Sequence, residues 1–401
     1  MGHFHEIMQT GSNQRITPKQ KKKSSLFSRI NAWLHLWLGL SSGIVIFVVC
    51  LTGTMFVFCD DIIDLISRKA LTVQETGAVQ KKPEELIAIF KQERPDFHPF
   101  YFVAYKDPER SFKIAYEDKE DHFHFAWMDP YTGKILDSNG AYYFFYVVAH
   151  IHSQLLLHEP GNIIVEIATW IFLLELIGGL ILWWPKKWTK ATREQSFRIK
   201  WNGKWKRVNY DLHNVLGFYS LLPALMLTIT GLIIVNHFVN GKVHQAFNGQ
   251  SGTYKAMRKA APAYVAGSKP FPLDSILLKY LHQPGVEQLR MTIPAKDSMT
   301  SCNVVAGKEI GLKGYNGRMF LVNRFTGEEV KMADSWYNGE KVENINMNLH
   351  LGFWYGAVGK TITFIIGLIC TSLPITGFMI WWNRKKKKSP VRISSKQTVT
   401  A

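Results

Sequence analysis

Histidine is the residue type in this chain whose spacing could do chemistry, because four imidazoles fall into two matched pairs. His35, Gly39, Thr52 and Gly53 recur as His213, Gly217, Thr230 and Gly231, each displaced by 178 residues. His152, Gly161, Gly179 and Trp183-Trp184 recur as His350, Gly359, Gly377 and Trp381-Trp382, each displaced by 198. The pattern reads as one membrane unit present twice. Neutral imidazole is a good iron ligand, and two of them opposed across a porphyrin give six-coordinate, low-spin iron suited to electron transfer. No CxxCH attachment motif is present, so the group implied is non-covalent haem b, in two copies if both pairs ligate and in one if a pair is vestigial.

The elements that must position these residues follow from hydropathy. Apolar residues make up 47% of the 401-residue chain and are strongly clustered. Four stretches are long enough to cross roughly 30 Å of hydrocarbon as helices, at 32–58, 163–184, 212–238 and 361–382. Pro223 and Pro374 are expected to kink the third and fourth. The net charge of +17 could suit nucleic acid, yet Lys and Arg concentrate in 1–31, 185–211 and 383–401, all on one side of a four-span chain. That distribution reads as a topology signal and as contact with the lipid bilayer, with no nucleic acid implied. Both termini and the central loop are then cytoplasmic, and the long connections 59–162 and 239–360 face outward. The first span is too long for a cleaved leader and is expected to stay as an anchor.

Each repeat has an even number of spans, so the axis relating the halves runs along the membrane normal. Matched residues then share a depth and, if they point inward, face each other. His35 and His213 should meet near the cytoplasmic surface, and His152 and His350 near the outer one. Gly39 and Gly217 lie one turn along from the first pair, where a missing side chain admits either a macrocycle or a neighbouring helix. For the imidazoles themselves, the plainer alternative is a capping or headgroup-bridging role at helix ends.

His150 and His237 are alternates; His150 is on a different helix face from His152, and its counterpart is Asn348. His158 and His244 read as surface or supporting residues, and His3, His5, His98, His122 and His124 as solvent-facing. Glu175, whose counterpart is Leu373, lies near the middle of the second span, where an ionised carboxylate is expensive. It could relay protons, hydrogen-bond a ligand imidazole, or sit protonated beside a hydroxyl. Glu166 is expected to face water. Trp33, Trp37, Trp183, Trp184, Trp381 and Trp382 read as an interfacial belt. Among the four cysteines, Cys59 and Cys302 share the outer side and could pair, although two thiols give no framework to read.

Each outer connection pairs an amphipathic helix (Pro83 to Gln92; Asp274 to His282) with a hairpin pattern. The hairpins are MDPYTGKILDS, Met128 to Ser138, and VNRFTGEEVKM, Val322 to Met332. Their Thr132-Gly133 and Thr326-Gly327 read as tight turns with Gly at positive φ. The fold class expected is a membrane α-helical protein, its four spans a duplicated two-span unit, with two outer α+β domains. No Gly-rich phosphate loop, nucleophile elbow, HExxH motif or dinucleotide fingerprint appears.

Taken with the spans that begin LHLWLGL (Leu34 to Leu40) and DLHNVLG (Asp211 to Gly217) and end in WW plus basic residues, the chain from about 28 to 386 resembles the PepSY-associated transmembrane proteins. The resemblance implies PepSY-like outer domains, a bacterial inner-membrane location with those domains periplasmic, and a role in iron uptake. Some members are haem-containing reductases of ferric siderophores. Electrons would then come from a cytoplasmic reductase or a quinol and pass to a ferric siderophore or another periplasmic acceptor. A permease accessory for siderophore or iron uptake, or a non-enzymatic membrane-anchored sensor or regulator, are the other readings.

Overall fold

In chain order the helices and strands are α1 (Leu26–Phe56), α2 (Cys59–Ile66), α3 (Pro83–Glu93), β1 (His98–Tyr105), β2 (Phe112–Glu117), β3 (Phe123–Met128), β4 (Ile135–Asn139), α4 (Ala141–Gln154) and α5 (His158–Trp183). There follow α6 (Lys190–Phe197), α7 (Trp205–Asp211), a π-helical turn at Leu212–Leu216, α8 (Gly217–Val235), α9 (His237–Ala246), α10 (Thr253–Ala260) and α11 (Leu273–Leu281). The chain continues through β5 (Gln288–Thr292), β6 (Ser301–Gly307), β7 (Arg318–Asn323), α12 (Asp334–Leu351) and α13 (Gly356–Lys385). The structure is a computed structural model and describes residues 25–385 except Ala78, Asp297, Lys313 and Tyr315. His3, His5 and most of the basic residues expected at the two ends lie outside the described residues.

Four helices are long and apolar enough to cross a bilayer: Leu26–Phe56, His158–Trp183, Trp205–Val235 and Phe353–Arg384. The second to fourth each begin five to eight residues before the expected start, and the first before residue 32, because the helical turns continue into polar flanks. The helices form a ring in which α1 packs on α5 and α13, and α8 packs on the same two. α1 and α8 are thus diagonal. Mid-ring, Leu176, Leu221, Ala224, Ile366 and Cys370 form an apolar core, with Cys50 and Phe172 against it. Pro223 and Pro374 are accommodated inside α8 and α13.

The two outer α+β regions expected from the sequence are joined edge to edge. Both halves contribute to one seven-stranded antiparallel sheet of order β4-β3-β2-β1-β5-β6-β7, joined where β1 pairs β5 with Val103 opposite Arg290. Side chains alternate with period two. Phe102, Ile114, Met128, Leu289, Val304 and Phe320 pack under α3 and α11 on one face. Tyr101, Phe125, Trp127, Val305 and Leu321 pack on the other against α2, α4, α10 and α12. Pro83 opens α3 where its missing N–H is harmless, followed by Glu84 and Glu85 in the dipole-favoured first turn.

The two hairpin patterns fold alike. Asp129 Oδ1 accepts the Tyr131 and Thr132 amides, and Asn323 Oδ1 those of Phe325 and Thr326. Gly133 (φ 83°) and Gly327 (φ 68°) close the turns. Cys59 and Cys302 are both free, because they pack on opposite faces of the sheet; the pairing is ruled out by that placement.

Candidate functional site

The diagonal of the ring brings the matched imidazoles together. His35 on α1 and His213 on the π-turn before α8 have ring centroids 6.3 Å apart at 74°. His152 at the end of α4 and His350 at the end of α12 are 6.1 Å apart at 53°. The second pair is not carried by the spans: α4 packs on α1 and α5, and α12 on α8, so each hangs its last turn beside a span. His35 and the Val49 to Gly53 stretch that meets His152 are separated by 14 to 18 residues of α1, or roughly 25 Å at about 1.5 Å per residue.

Three of the rings are held by a hydrogen bond at Nδ1, and His35 Nδ1 has a carboxylate close by. His152 Nδ1 lies 2.8 Å from the Val49 carbonyl, which can only accept. His350 Nδ1 is 2.9 Å from Thr230 Oγ1, whose own hydroxyl donates to the Met226 carbonyl. His213 Nδ1 is 2.9 Å from Thr376 Oγ1, whose hydroxyl donates to the Ser372 carbonyl. His35 Nδ1 is 2.9 Å from Glu175 Oε2. For His152, His350 and His213 the partner is an acceptor, so in each neutral ring the proton sits on Nδ1 and the Nε2 lone pair is free; His35 Nδ1 has the carboxylate beside it without hydrogen-bond alignment. Among the described residues, no Nε2 of the four has a hydrogen-bond partner.

Glycines at the matched spacings set the rings in place. A Cβ at Gly179 would meet His35 Cε1 at 3.4 Å, and one at Gly377 His213 Cε1 at 3.3 Å. At Gly53 it would meet His152 Cε1 at 2.8 Å, and at Gly231 His350 Cε1 at 3.2 Å. Gly39 and Gly217, expected to clear room beside the first pair, face position 175 and its counterpart instead: Glu175 Oε2 at 3.1 Å and Leu373 Cδ2 at 3.7 Å. Gly161 and Gly359 admit the backbone of Gln154 and Gly352, where α4 and α12 turn into the next span.

Residues that the sequence did not single out support the same geometry. Asn31 Nδ2 donates to the Gly178 carbonyl at 3.0 Å and Asn209 Nδ2 to that of Thr376 at 3.1 Å. Both partners follow the spacings of 178 and 198, the signal by which they could have been found. The π-turn under His213 has no counterpart around His35, where α1 is continuous. Such turns are frequent at functional sites.

The remaining candidates lie apart. His150 points its Nδ1 to the Tyr146 carbonyl and its ring against Tyr146; His237 is exposed at the start of α9. His158 is exposed, whereas His244 is buried, not at the surface, with Nδ1 on the Asn240 carbonyl. His124 is partly covered rather than solvent-facing, bound to Asp118 at 2.8 Å. Glu166 accepts from Asn236 at 2.6 Å. Trp183 is no belt residue: it is buried, stacked on Phe218 at 3.7 Å, and donates to the Ser196 carbonyl at 3.1 Å.

A second feature lies on the bundle-facing side of the sheet, at the β1–β5 seam. A cavity of about 390 Å³ is lined by Asp60, Tyr101, Tyr105, Arg110, Lys113 and Arg290 among others. Burial raises the Asp60 carboxyl above its usual range, opposed by the Lys113 charge. Lys113 also lies over the Phe125 ring at 4.2 Å and Arg110 over Tyr105 at 4.3 Å.

The separation of the rings in each pair matches that of two imidazoles sharing one metal. A metal held about 2 Å from one nitrogen of each of two opposed rings leaves the ring centres roughly 6 Å apart, the separation found in both pairs. A family model described as the PepSY-associated TM region matches residues 32–384, which include all four imidazoles. A search of curated proteins returns no match.

Proposed function

The chain belongs to the PepSY-associated transmembrane family, and from that premise we propose that it is a two-haem electron carrier of a bacterial inner membrane. The observation that carries this reading is the meeting of four imidazoles in two pairs, three with Nδ1 hydrogen-bonded and the fourth beside a carboxylate, and with no Nε2 partnered among the described residues. His35 and His213 would hold one haem b toward the cytoplasm, and His152 and His350 a second toward the periplasm. The duplicated two-span unit supplies the two-fold arrangement, and the basic 185–211 loop marks the cytoplasmic side. When bound, the haems supply one-electron transfer between a cytoplasmic reductase or quinol and a periplasmic acceptor, with ferric siderophore the leading candidate for the acceptor.

The chain's own residues do the rest. Val49, Thr230 and Thr376 orient their imidazoles and fix the tautomers, which raises ligand basicity, and the Glu175 carboxyl lies beside the fourth ring. The apolar mid-ring core separates the two levels and keeps water from the space between. The seam cavity, whose walls combine aromatic rings with five carboxylates and four basic side chains, is where a chelate would dock. Siderophores hold Fe(III) far more tightly than Fe(II), so reduction would release the metal.

Protein purified in detergent after growth with ample haem supply is expected to show a Soret band, and sharp α and β bands on dithionite reduction. Mixing the reduced protein with a ferric hydroxamate chelate should bleach those bands. Bands that persist would remove the acceptor assignment, and a colourless preparation would favour a permease accessory or a sensor.

A further inference from the structure

Among the described residues, His35 is the one of the four imidazoles whose Nδ1 lies beside an acidic side chain. The others meet a backbone carbonyl or a threonine hydroxyl, all neutral. The difference is a local departure from an otherwise matched scaffold. Position 175 corresponds to Leu373, and both side chains lie against matched glycines, Glu175 on Gly39 and Leu373 on Gly217. A Cβ at Gly39 would stand 3.1 Å from the carboxylate oxygen, so this glycine makes room for the acid. The Glu175 side chain is only 11% exposed, and its Oε2 lies 2.9 Å from the imidazole. In the second half the place is apolar, and His213 turns to Thr376 on the same helix instead.

We propose that Glu175 is a positioning residue for His35 that makes the His35–His213 site the more reducing of the two. This inference rests on the haem reading above. A carboxylate 2.9 Å from Nδ1 stands where it can draw on the ring N–H, and it pushes electron density into the imidazole more strongly than a hydroxyl or carbonyl does. A more basic axial ligand favours ferric iron and so lowers the reduction potential. The outer site, with a carbonyl and a threonine as its supports, has no such bias. One acid therefore orders the two sites downhill from the cytoplasmic end to the periplasmic end.

The test is a spectroelectrochemical titration of full-length protein with Glu175→Gln and Glu175→Leu. Gln keeps the size and an acceptor oxygen but loses the charge; Leu reproduces the second half. The component belonging to the inner site is identified by its absence in His213→Ala. Both variants are expected to hold two haems, with the inner midpoint potential shifted upward, more in Leu than in Gln, and the outer one unmoved. If Leu disrupts the site, Gln alone decides. Two haems with an unshifted inner potential in Glu175→Gln would overturn the inference while leaving the haem reading intact. A wild-type protein without haem would overturn that reading first.

Discussion

Gly53→Ala should eject the outer haem while Gly179→Ala leaves the inner one in place. The two glycines play the same part, each backing an imidazole, but with different clearance. An added Cβ stands 2.8 Å from His152 Cε1 and 3.0 Å from its Nδ1 at Gly53, against 3.4 Å from His35 Cε1 at Gly179. Ordinary carbon contacts lie at about 3.5–4.0 Å, so His152 must retreat by roughly 0.7 Å or more. That movement would strain its 2.8 Å contact with the Val49 carbonyl. Overpacking of this kind costs about 1–3 kcal/mol, or roughly 5- to 150-fold in affinity at about 1.4 kcal/mol per decade. Ala is the better helix former by about 1 kcal/mol, so the helix itself should not suffer. Haem per polypeptide, measured as the pyridine haemochrome, should fall from two toward one in Gly53→Ala and stay at two in Gly179→Ala. Two haems in Gly53→Ala, or equal loss in both variants, would refute the reasoning.

Other expectations follow from single contacts. His150→Ala and His237→Ala should leave haem content unchanged, since neither ring faces a matched imidazole; a lost equivalent in the pyridine haemochrome assay would reassign the ligands. Trp183→Ala removes a buried ring stacked on Phe218 and should destabilise by about 3–5 kcal/mol. Trp184→Ala, 61% exposed, should leave the thermal midpoint in detergent nearly unmoved. The Asp118 carboxyl is held down at about 2, first by the His122 backbone N–H and further by His124. Its folded pKa lies below the unfolded value of about 3.9, so its stabilising contribution is present above about pH 4 and lost as pH falls through about 2. Acid titration of the near-UV circular dichroism should lose that component in Asp118→Asn.

The spans were legible because a bilayer demands long apolar runs, and the hairpins because Asp129, Asn323 and their glycines carry local turn chemistry. α3 and α11 announced themselves by apolar spacing. The pairing of imidazoles followed from the two displacements, which the structure converts into opposed rings. What was not legible depends on long-range contact. Strand pairing between β1 and β5 leaves no local mark, so the shared sheet was invisible. Gly39 and Gly179 look alike in sequence, and only the packing of α1 on α5 decides which meets an imidazole. The π-turn at Leu212–Leu216 has no compositional signature. Trp183 sits beside Trp184 at the expected membrane boundary, yet its indole turns inward onto Phe218 because α6 and α8 cover it.

The central claim, two irons each clamped by one matched imidazole pair, is tested most directly by low-temperature electron paramagnetic resonance of the oxidised protein combined with iron counting. Two irons per chain are expected, with two low-spin ferric signals, one abolished by His35→Ala and the other by His152→Ala. A single iron, a high-spin signal in the wild type, or loss of both signals from either substitution would contradict it.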